Sequence, residues 1–143
     1  MVRKTFHEMF SENEKIKSRA DKISHLQKHS SPGLKAILGY TFDPNVKWLL
    51  PEGTPPYTPN AVADNEGQLE YESRKFYLFV DGPSEQQQAL KQHKREDLFI
   101  NMLENLNPYD AKLLIAMKER KLPYKGITKK LVAEAFPRLA SNW

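Results

Sequence analysis

Apolar residues recur every three or four positions over residues 1–42, with lysine and arginine between them. This spacing places the apolar side chains on one face of a helix and predicts a helical first third of the chain. Ser31 is placed to cap a short helix whose first turn contains Pro32. Asp43-Pro44 ends the helical pattern, because the residue before a proline avoids helical backbone angles.

The proline-rich segment, residues 46–59, interrupts the helical pattern. It reads VKWLLPEGTPPYTP, and its prolines, which lack a backbone N–H, exclude both a helix and a central β-strand. The segment also carries Trp48, Leu50 and Tyr57, apolar anchors that a solvated linker would not need. We therefore predict an extended strap held against a surface by these side chains. That surface is either the protein's own core or a partner, since Trp and Tyr are favoured in both places.

One short β-hairpin is predicted after the strap. Residues 75–80, KFYLFV, are rich in aromatic and apolar side chains, as strands are, and Leu69 and Tyr71 are placed on a partner strand. Residues 84–143 then return to helical spacing. Three residues that favour helix N-termini divide this last part: Ser84, Asn107 and Thr128.

The pattern predicts one domain spanning residues 1–143, mainly α with a minor α+β component. It is a helical bundle of N-terminal helices (1–42) and C-terminal helices (84–143), with the strap and hairpin inserted between them at 43–83. A chain of 143 residues can hold a core without covalent staples. It has no cysteine, which excludes disulfides and thiolate metal sites. We find no secretory signal and no apolar run of the roughly 20 residues needed to cross a bilayer.

Charge is distributed unevenly along the chain, whose formal net charge is +4. Residues 1–35 carry eight basic and four acidic side chains, and residues 106–143 carry eight and three. The residues between them, 36–105, carry six basic and eleven acidic side chains. A basic excess attracts polyanions by releasing counterions, without needing any motif. Solvated lysine-rich helices have the same composition, so charge alone leaves both interpretations open.

The main candidate site is a basic corner between the last two predicted helices. Six cations and one aromatic residue lie close together in sequence there: Lys118, Arg120, Lys121, Tyr124, Lys125, Lys129 and Lys130. Cations for phosphates, a stacking aromatic ring and the helix start after Thr128 are what a nucleic-acid contact needs. The connection is longer than that of a helix-turn-helix. A solvated basic face, or one that meets an acidic protein, is the alternative.

A metal site is the weaker interpretation of two histidines in the first third. His25 and His29 lie four residues apart on a predicted helix, with Asp21 one turn earlier, a spacing that allows a shared metal ion. Lys22 and Lys28 flank them and would repel a cation. We therefore interpret both as surface histidines and predict no metal site.

The acidic residues in the middle of the chain do not indicate a catalytic site. Its carboxylates lie on or beside the predicted hairpin, where solvation is the default: Glu66, Glu70, Glu72 and Asp81. No nucleophile elbow, P-loop or dinucleotide-binding glycine motif occurs. We therefore predict that the protein is not an enzyme and needs no cofactor.

Two stretches of the chain resemble a known group of proteins. SPGLKAILGYTFDPNVKWLLPEGTPPY, from Ser31, and LPYKGITKKLVAEAFPRL, ending at Leu139, are similar to uncharacterised small proteins of tailed phages, notably T-even-like myophages of marine bacteria. The group has no assigned activity, so no functional residue carries over. The resemblance implies a phage accessory protein in the cytoplasm of a bacterial host, or a minor virion component. By analogy it favours binding over catalysis.

We therefore expect a non-enzymatic accessory protein that binds nucleic acid, or a nucleoprotein machine, through the basic C-terminal corner. The alternative is a protein–protein interaction module, either a virion component or a binder of a host protein. Its surface would be the strap with Trp48, Leu50 and Tyr57. The pattern leaves open whether the two basic ends, 1–35 and 106–143, meet in space and form one continuous face.

Overall fold

The structure, a computed structural model, describes residues 5–60 and 68–143. The helices in these ranges are α1 (Phe6–Lys15), α2 (Arg19–Lys28), α3 (Pro32–Phe42), α4 (Gln68–Glu72), a 3₁₀ helix (Ser73–Phe79), α5 (Glu85–Ala89), α6 (Gln92–Asn105), α7 (Pro108–Lys118) and α8 (Lys129–Ala135). The prediction of a mainly α protein is confirmed. None of these helices is long and apolar enough to cross a bilayer.

Side-chain caps set where most of the helices begin. In six cases the residue before the helix accepts the backbone N–H three positions further on: Thr5, Ser18, Ser31, Ser84, Asn107 and Thr128. Gln87 also accepts the N–H of Ser84, which completes the capping box of α5. The sequence predicts a helix start at four of these residues, and all four are confirmed as caps: Ser31, Ser84, Asn107 and Thr128.

The structure corrects the predicted β-hairpin. Its first strand, KFYLFV, lies almost entirely in the 3₁₀ helix Ser73–Phe79, and its partner residues Leu69 and Tyr71 lie in α4. Strand pairing in the described ranges is limited to one isolated antiparallel bridge between Trp48 and Val80. The minor β component of the predicted fold is thereby reduced to this single bridge.

The shortness of the apolar run explains the error. A buried run of roughly four to eight residues fits a strand and a helical segment equally well. Phe76 and Phe79 are fully buried and lie three residues apart, which is one turn of a 3₁₀ helix, so both rings face the core. Phe79 packs edge-on against Phe99 of α6, with ring centroids 5.2 Å apart.

One helix start is predicted between the hairpin and Asn107, at Ser84, but this stretch forms two helices, α5 and α6. Leu90 and Lys91 between them have extended backbone angles. Arg95, which is 5% exposed, donates from its guanidinium to the backbone carbonyls of Leu78, Gln87 and Leu90. The carbonyls near a helix end lack partners within the helix, and Arg95 supplies donors for them.

The core is centred on α3 and α7. α3 packs on α7, α4 and the 3₁₀ helix; α7 also contacts α1 and α6, and α2 packs on α8. Most of α7 is buried, including Leu113, Leu114, Ile115 and Met117. A helix with apolar residues on most sides belongs inside a bundle, and α7 occupies that place.

Residues 43–60 contain no helix and lie against this bundle. The Leu49 N–H donates to the Phe79 carbonyl at 2.9 Å, and the Asp81 N–H donates to the Lys47 carbonyl at 2.8 Å. These two bonds flank the Trp48 bridge and join the proline-rich segment to the end of the 3₁₀ helix.

Arg95→Met should lower the free energy of unfolding by about 2–4 kcal/mol, because methionine leaves three carbonyl acceptors without their donor. Lys94→Met, at the exposed neighbouring position, is the control and should change it by less than about 0.5 kcal/mol. Urea denaturation followed by circular dichroism measures both. Equal effects at the two positions would contradict the structural role of Arg95.

Candidate nucleic-acid interface

Four of the predicted cations form an exposed patch, here called the lysine corner: Lys121, Lys125, Lys129 and Lys130. They lie on the connection from α7 to α8 and on the first turn of α8. Gly126 has a φ of +85°, which glycine adopts without strain, and the Ile127 N–H closes the turn on the Tyr124 carbonyl. Thr128 then caps α8.

Lys118 lies inside the protein and is not part of this patch. Its ammonium donates to the carbonyls of Pro51 at 2.8 Å and Gly53 at 2.9 Å, and to the carboxylate of Glu119 at 2.8 Å. These three acceptors match the three N–H donors of a lysine. Glu119 in turn accepts the Gly53 N–H, and the hydrogen bond from Lys118 is the main cause that lowers its pKa. Lys118 thus holds the proline-rich segment to α7.

Arg120 is also engaged within the protein. Its guanidinium donates to the carbonyls of Asp43 and Val46. Its backbone has a φ of +67°, at a helix end where glycine is the usual residue. Because a left-handed conformation costs a non-glycine residue about 1–2 kcal/mol, contacts such as these hydrogen bonds have to offset it.

Tyr124 is 8% exposed, so its ring does not offer a surface for stacking. Its hydroxyl lies 2.9 Å from His7 Nδ1, and its ring stacks on Phe10 with centroids 5.0 Å apart. Burial raises the pKa of Tyr124 to about 12, with further contributions from the charges of Asp110 and Glu14. An exposed aromatic ring at this corner has to come from another residue.

Tyr109 is that residue, and sequence reasoning missed it. It is 58% exposed, and its ring stacks on His7 with centroids 4.2 Å apart and an interplanar angle of 12°. Because His7 also contacts Tyr124, side-chain contacts run from Tyr109 to the residue before Lys125. Lys112, which is exposed, follows Tyr109 by one turn of α7. The tyrosine is visible in the sequence, but its contact with a histidine of α1 is not.

The two basic ends of the chain meet at this corner. Arg19 of α2 pairs with Glu134 of α8 at 2.9 Å. The carboxylate of Glu14 accepts the backbone N–H of Lys125 at 3.2 Å. The first and last helices therefore form one body with the lysine corner at their junction.

Lys22 brings a further cation to the same junction. A Cβ at Gly126 would lie 3.1 Å from the Lys22 ammonium, so the lysine side chain passes directly over this glycine. The ammonium donates to the Asn13 carbonyl at 2.7 Å. The absence of a side chain at Gly126 thus serves both the turn and the approach of α2.

The predicted partner-binding residues Trp48, Leu50 and Tyr57 are partly buried against the protein's own core. The indole N–H of Trp48 donates to the Tyr40 carbonyl at 3.1 Å, and the two rings meet edge-on. Most of their apolar surface is therefore used within the molecule.

A cavity of about 430 Å³ lies between the proline-rich segment and α6. Leu50 and residues 51–56 form one wall, and His93, Glu96 and Asp97 lie on the other. Three carboxylates, those of Glu52, Glu96 and Asp97, outnumber the one ammonium group, that of Lys118, in the lining of this cavity. This charge is unfavourable for phosphate, so the cavity differs in character from the lysine corner.

The four carboxylates considered for catalysis have different surroundings. Glu70 accepts hydrogen bonds from a hydroxyl and a backbone N–H at the start of α3, both at 2.9 Å. Glu72 is buried and lies 3.4 Å from Lys75. Asp81 is exposed, and Glu66 lies outside the described residues.

The two histidines considered for metal binding are side by side, with ring centroids 4.7 Å apart for His25 and His29. The carboxylate that joins them is Glu12 of α1. Asp21, which sequence spacing favoured, is exposed and is not part of this group.

These features define a small helical protein with a basic surface where its two ends meet. The chain belongs to the family of unknown function DUF6433, whose model matches residues 9–124. The match covers the proline-rich segment and α7 and ends before α8. No curated protein and no solved structure matches the chain.

Asp110, in the first turn of α7, should make stability depend on pH. It is 2% exposed, and burial raises its pKa to about 6, against a lowering by the hydrogen bond from Asn107. Its Oδ1 has no hydrogen-bond partner among the described residues. Between about pH 4 and 6 the folded state keeps a proton that the unfolded state releases, so the contribution of Asp110 to stability falls as pH rises through that window.

Asp110→Asn, which resembles the protonated acid, should therefore gain stability relative to wild type as pH rises. The difference in unfolding free energy between variant and wild type should increase by about 2–3 kcal/mol from pH 4 to pH 7. Urea titrations of both proteins at the two pH values measure it, and other carboxylates cancel in the comparison. A difference independent of pH would contradict the prediction.

Proposed function

We propose that this protein is a non-enzymatic accessory protein that binds nucleic acid through the lysine corner and Tyr109. The observation that carries the proposal is the meeting of the two basic chain ends, which gathers cations from α2, α7 and α8 around one junction. The resemblance to small phage proteins supports a setting in the cytoplasm of a bacterial host or in a virion.

The lysine corner is suited to phosphate contacts because its cations are available. In the described ranges, no hydrogen bond or ion pair holds the ammonium groups of its four lysines, in contrast to Lys118 and Arg120. Lysine ammonium groups neutralise phosphates and release condensed counterions, which gives affinity without sequence preference.

Tyr109 supplies the aromatic surface that a nucleic-acid interface uses. His7 covers one face of its ring, and the side chain remains 58% exposed. A base can stack on an exposed aromatic face whatever its identity, which contributes about 1–3 kcal/mol per base. The combination of lysines and one ring favours single-stranded nucleic acid over an intact duplex.

The test compares two variants of equal charge. One replaces the lysine corner with glutamine. The control replaces four exposed lysines elsewhere in the chain: Lys35, Lys47, Lys91 and Lys94. Both variants have a formal net charge of zero, against +4 for the wild type. Fluorescence anisotropy measures binding to single-stranded DNA, RNA and duplex DNA over a series of salt concentrations.

We expect the corner variant to lose most of its affinity and the control variant to keep it. For single strands, each lost phosphate contact should reduce the slope of log affinity against log salt by about 0.7. Tyr109→Ala should weaken single-strand binding while leaving that slope unchanged. Equal losses in the two quadruple variants, or no binding by wild type at low salt, would refute the proposal.

A protein–protein interaction through the proline-rich segment is the second candidate. The cavity beside Leu50 is the observation that favours it. A protein captured from nuclease-treated lysate by the corner variant as well as by the wild type would support this candidate instead.

A further inference from the structure

We propose that Glu12, His25 and His29 form a binding site for Zn²⁺ at the junction of α1 and α2. One ligand atom from each residue lies within 4.8 Å of the other two. The site is independent of the nucleic-acid proposal, because none of the three residues belongs to the lysine corner.

The ligand set suits zinc. The two imidazoles come from the end of α2, since His25 lies in its last turn and His29, four residues on, is its C-cap residue. α1 supplies the carboxylate of Glu12, whose Oε2 lies 3.4 Å from His25 Nε2. Two imidazole nitrogens and one carboxylate oxygen are a familiar zinc set that leaves a fourth position for water. Because ligand atoms around tetrahedral zinc are about 3.3 Å apart, modest side-chain rotations complete the geometry.

A buried side chain next to the site supports this assignment. Asn13 is fully buried, and its Nδ2 lies 3.1 Å from both His25 Nδ1 and the Lys22 carbonyl. Within residues 5–60 and 68–143, its Oδ1 has no hydrogen-bond partner. When a metal binds Nε2 of a histidine, Nδ1 carries the proton and needs an acceptor. A half-turn of the Asn13 amide would present its oxygen to that proton, in exchange for the hydrogen bond that Nδ2 donates to the Lys22 carbonyl.

The flanking lysines do not exclude a cation from the site. The Lys22 ammonium donates to the Asn13 carbonyl at 2.7 Å, and Lys28 is exposed to solvent. Glu12, from a different helix, adds a negative charge to the site that sequence spacing does not show.

Bound zinc would join α1 to α2. The same two helices also contact the lysine corner, through Glu14 at Lys125 and Lys22 at Gly126. A metal that fixes α1 to α2 would therefore also stabilise the position of these two contacts. The measurable consequence is a higher melting temperature in zinc.

The experiment is calorimetric titration of chelator-treated full-length protein with zinc chloride. We expect one equivalent of Zn²⁺ to bind to the wild type. His25→Gln and His29→Gln should each weaken binding at least about tenfold, and Glu12→Gln should weaken it as well. His93→Gln, at an exposed histidine of α6, is the matched control and should bind zinc like the wild type.

Thermal melts separate loss of the site from loss of the fold. Each variant should melt cooperatively without metal, and zinc should raise the melting temperature of the wild type and His93→Gln but not that of His25→Gln. A variant that does not fold is replaced by the corresponding alanine variant. Absence of zinc binding by the wild type, or equal weakening by His25→Gln and His93→Gln, would overturn the proposal.

Discussion

The proline-rich segment lacks backbone hydrogen-bond donors at its prolines, and the fold depends on side chains from other parts of the chain that donate to its carbonyls instead. Prolines remove backbone N–H groups, and residues 43–60 contain no helix that would pair their carbonyls. Lys118 and Arg120 donate to four of these carbonyls, and Gln92 of α6 donates to a fifth, that of Leu49. Two cationic side chains can bond four carbonyls because each carries several donors on one flexible stem. Arg95 joins α5 and the 3₁₀ helix to α6 by the same means.

Because some cationic side chains bond these carbonyls, the basic residues of the chain fall into two groups. Cations that face unpaired carbonyls are enclosed and stabilise the fold, whereas the lysine corner remains exposed. The surface available to a polyanion is thus smaller than the charge of the last third suggests. It is enlarged by the N-terminal helices, since α2 packs on α8 and brings Lys22 to Gly126. The junction of the chain ends also contains the proposed zinc ligands, so one arrangement of α1, α2 and α8 supports both proposals.

The location of the candidate site was predictable from the sequence, but the residues that are exposed there were not. A cluster of lysines around one glycine is visible in the sequence, and its four exposed members lie there. Spacing favours Tyr124 as the stacking residue over Tyr109, because Tyr124 lies among the lysines in sequence. Phe10 and His7 enclose Tyr124, whereas Tyr109, at the start of α7 with His7 stacked on its ring, stays exposed.

The sequence by itself determined where α3, α7 and α8 start, because a cap residue bonds to a backbone N–H only three residues away and this spacing can be read from the sequence. Ser31, Asn107 and Thr128 act in this way. Only the tertiary structure decided that KFYLFV forms a 3₁₀ helix and that Glu12 rather than Asp21 meets the two histidines. It also decided which cations are buried. Those outcomes depend on which distant carbonyls need a donor and which distant surfaces need covering, and neither is encoded in local spacing.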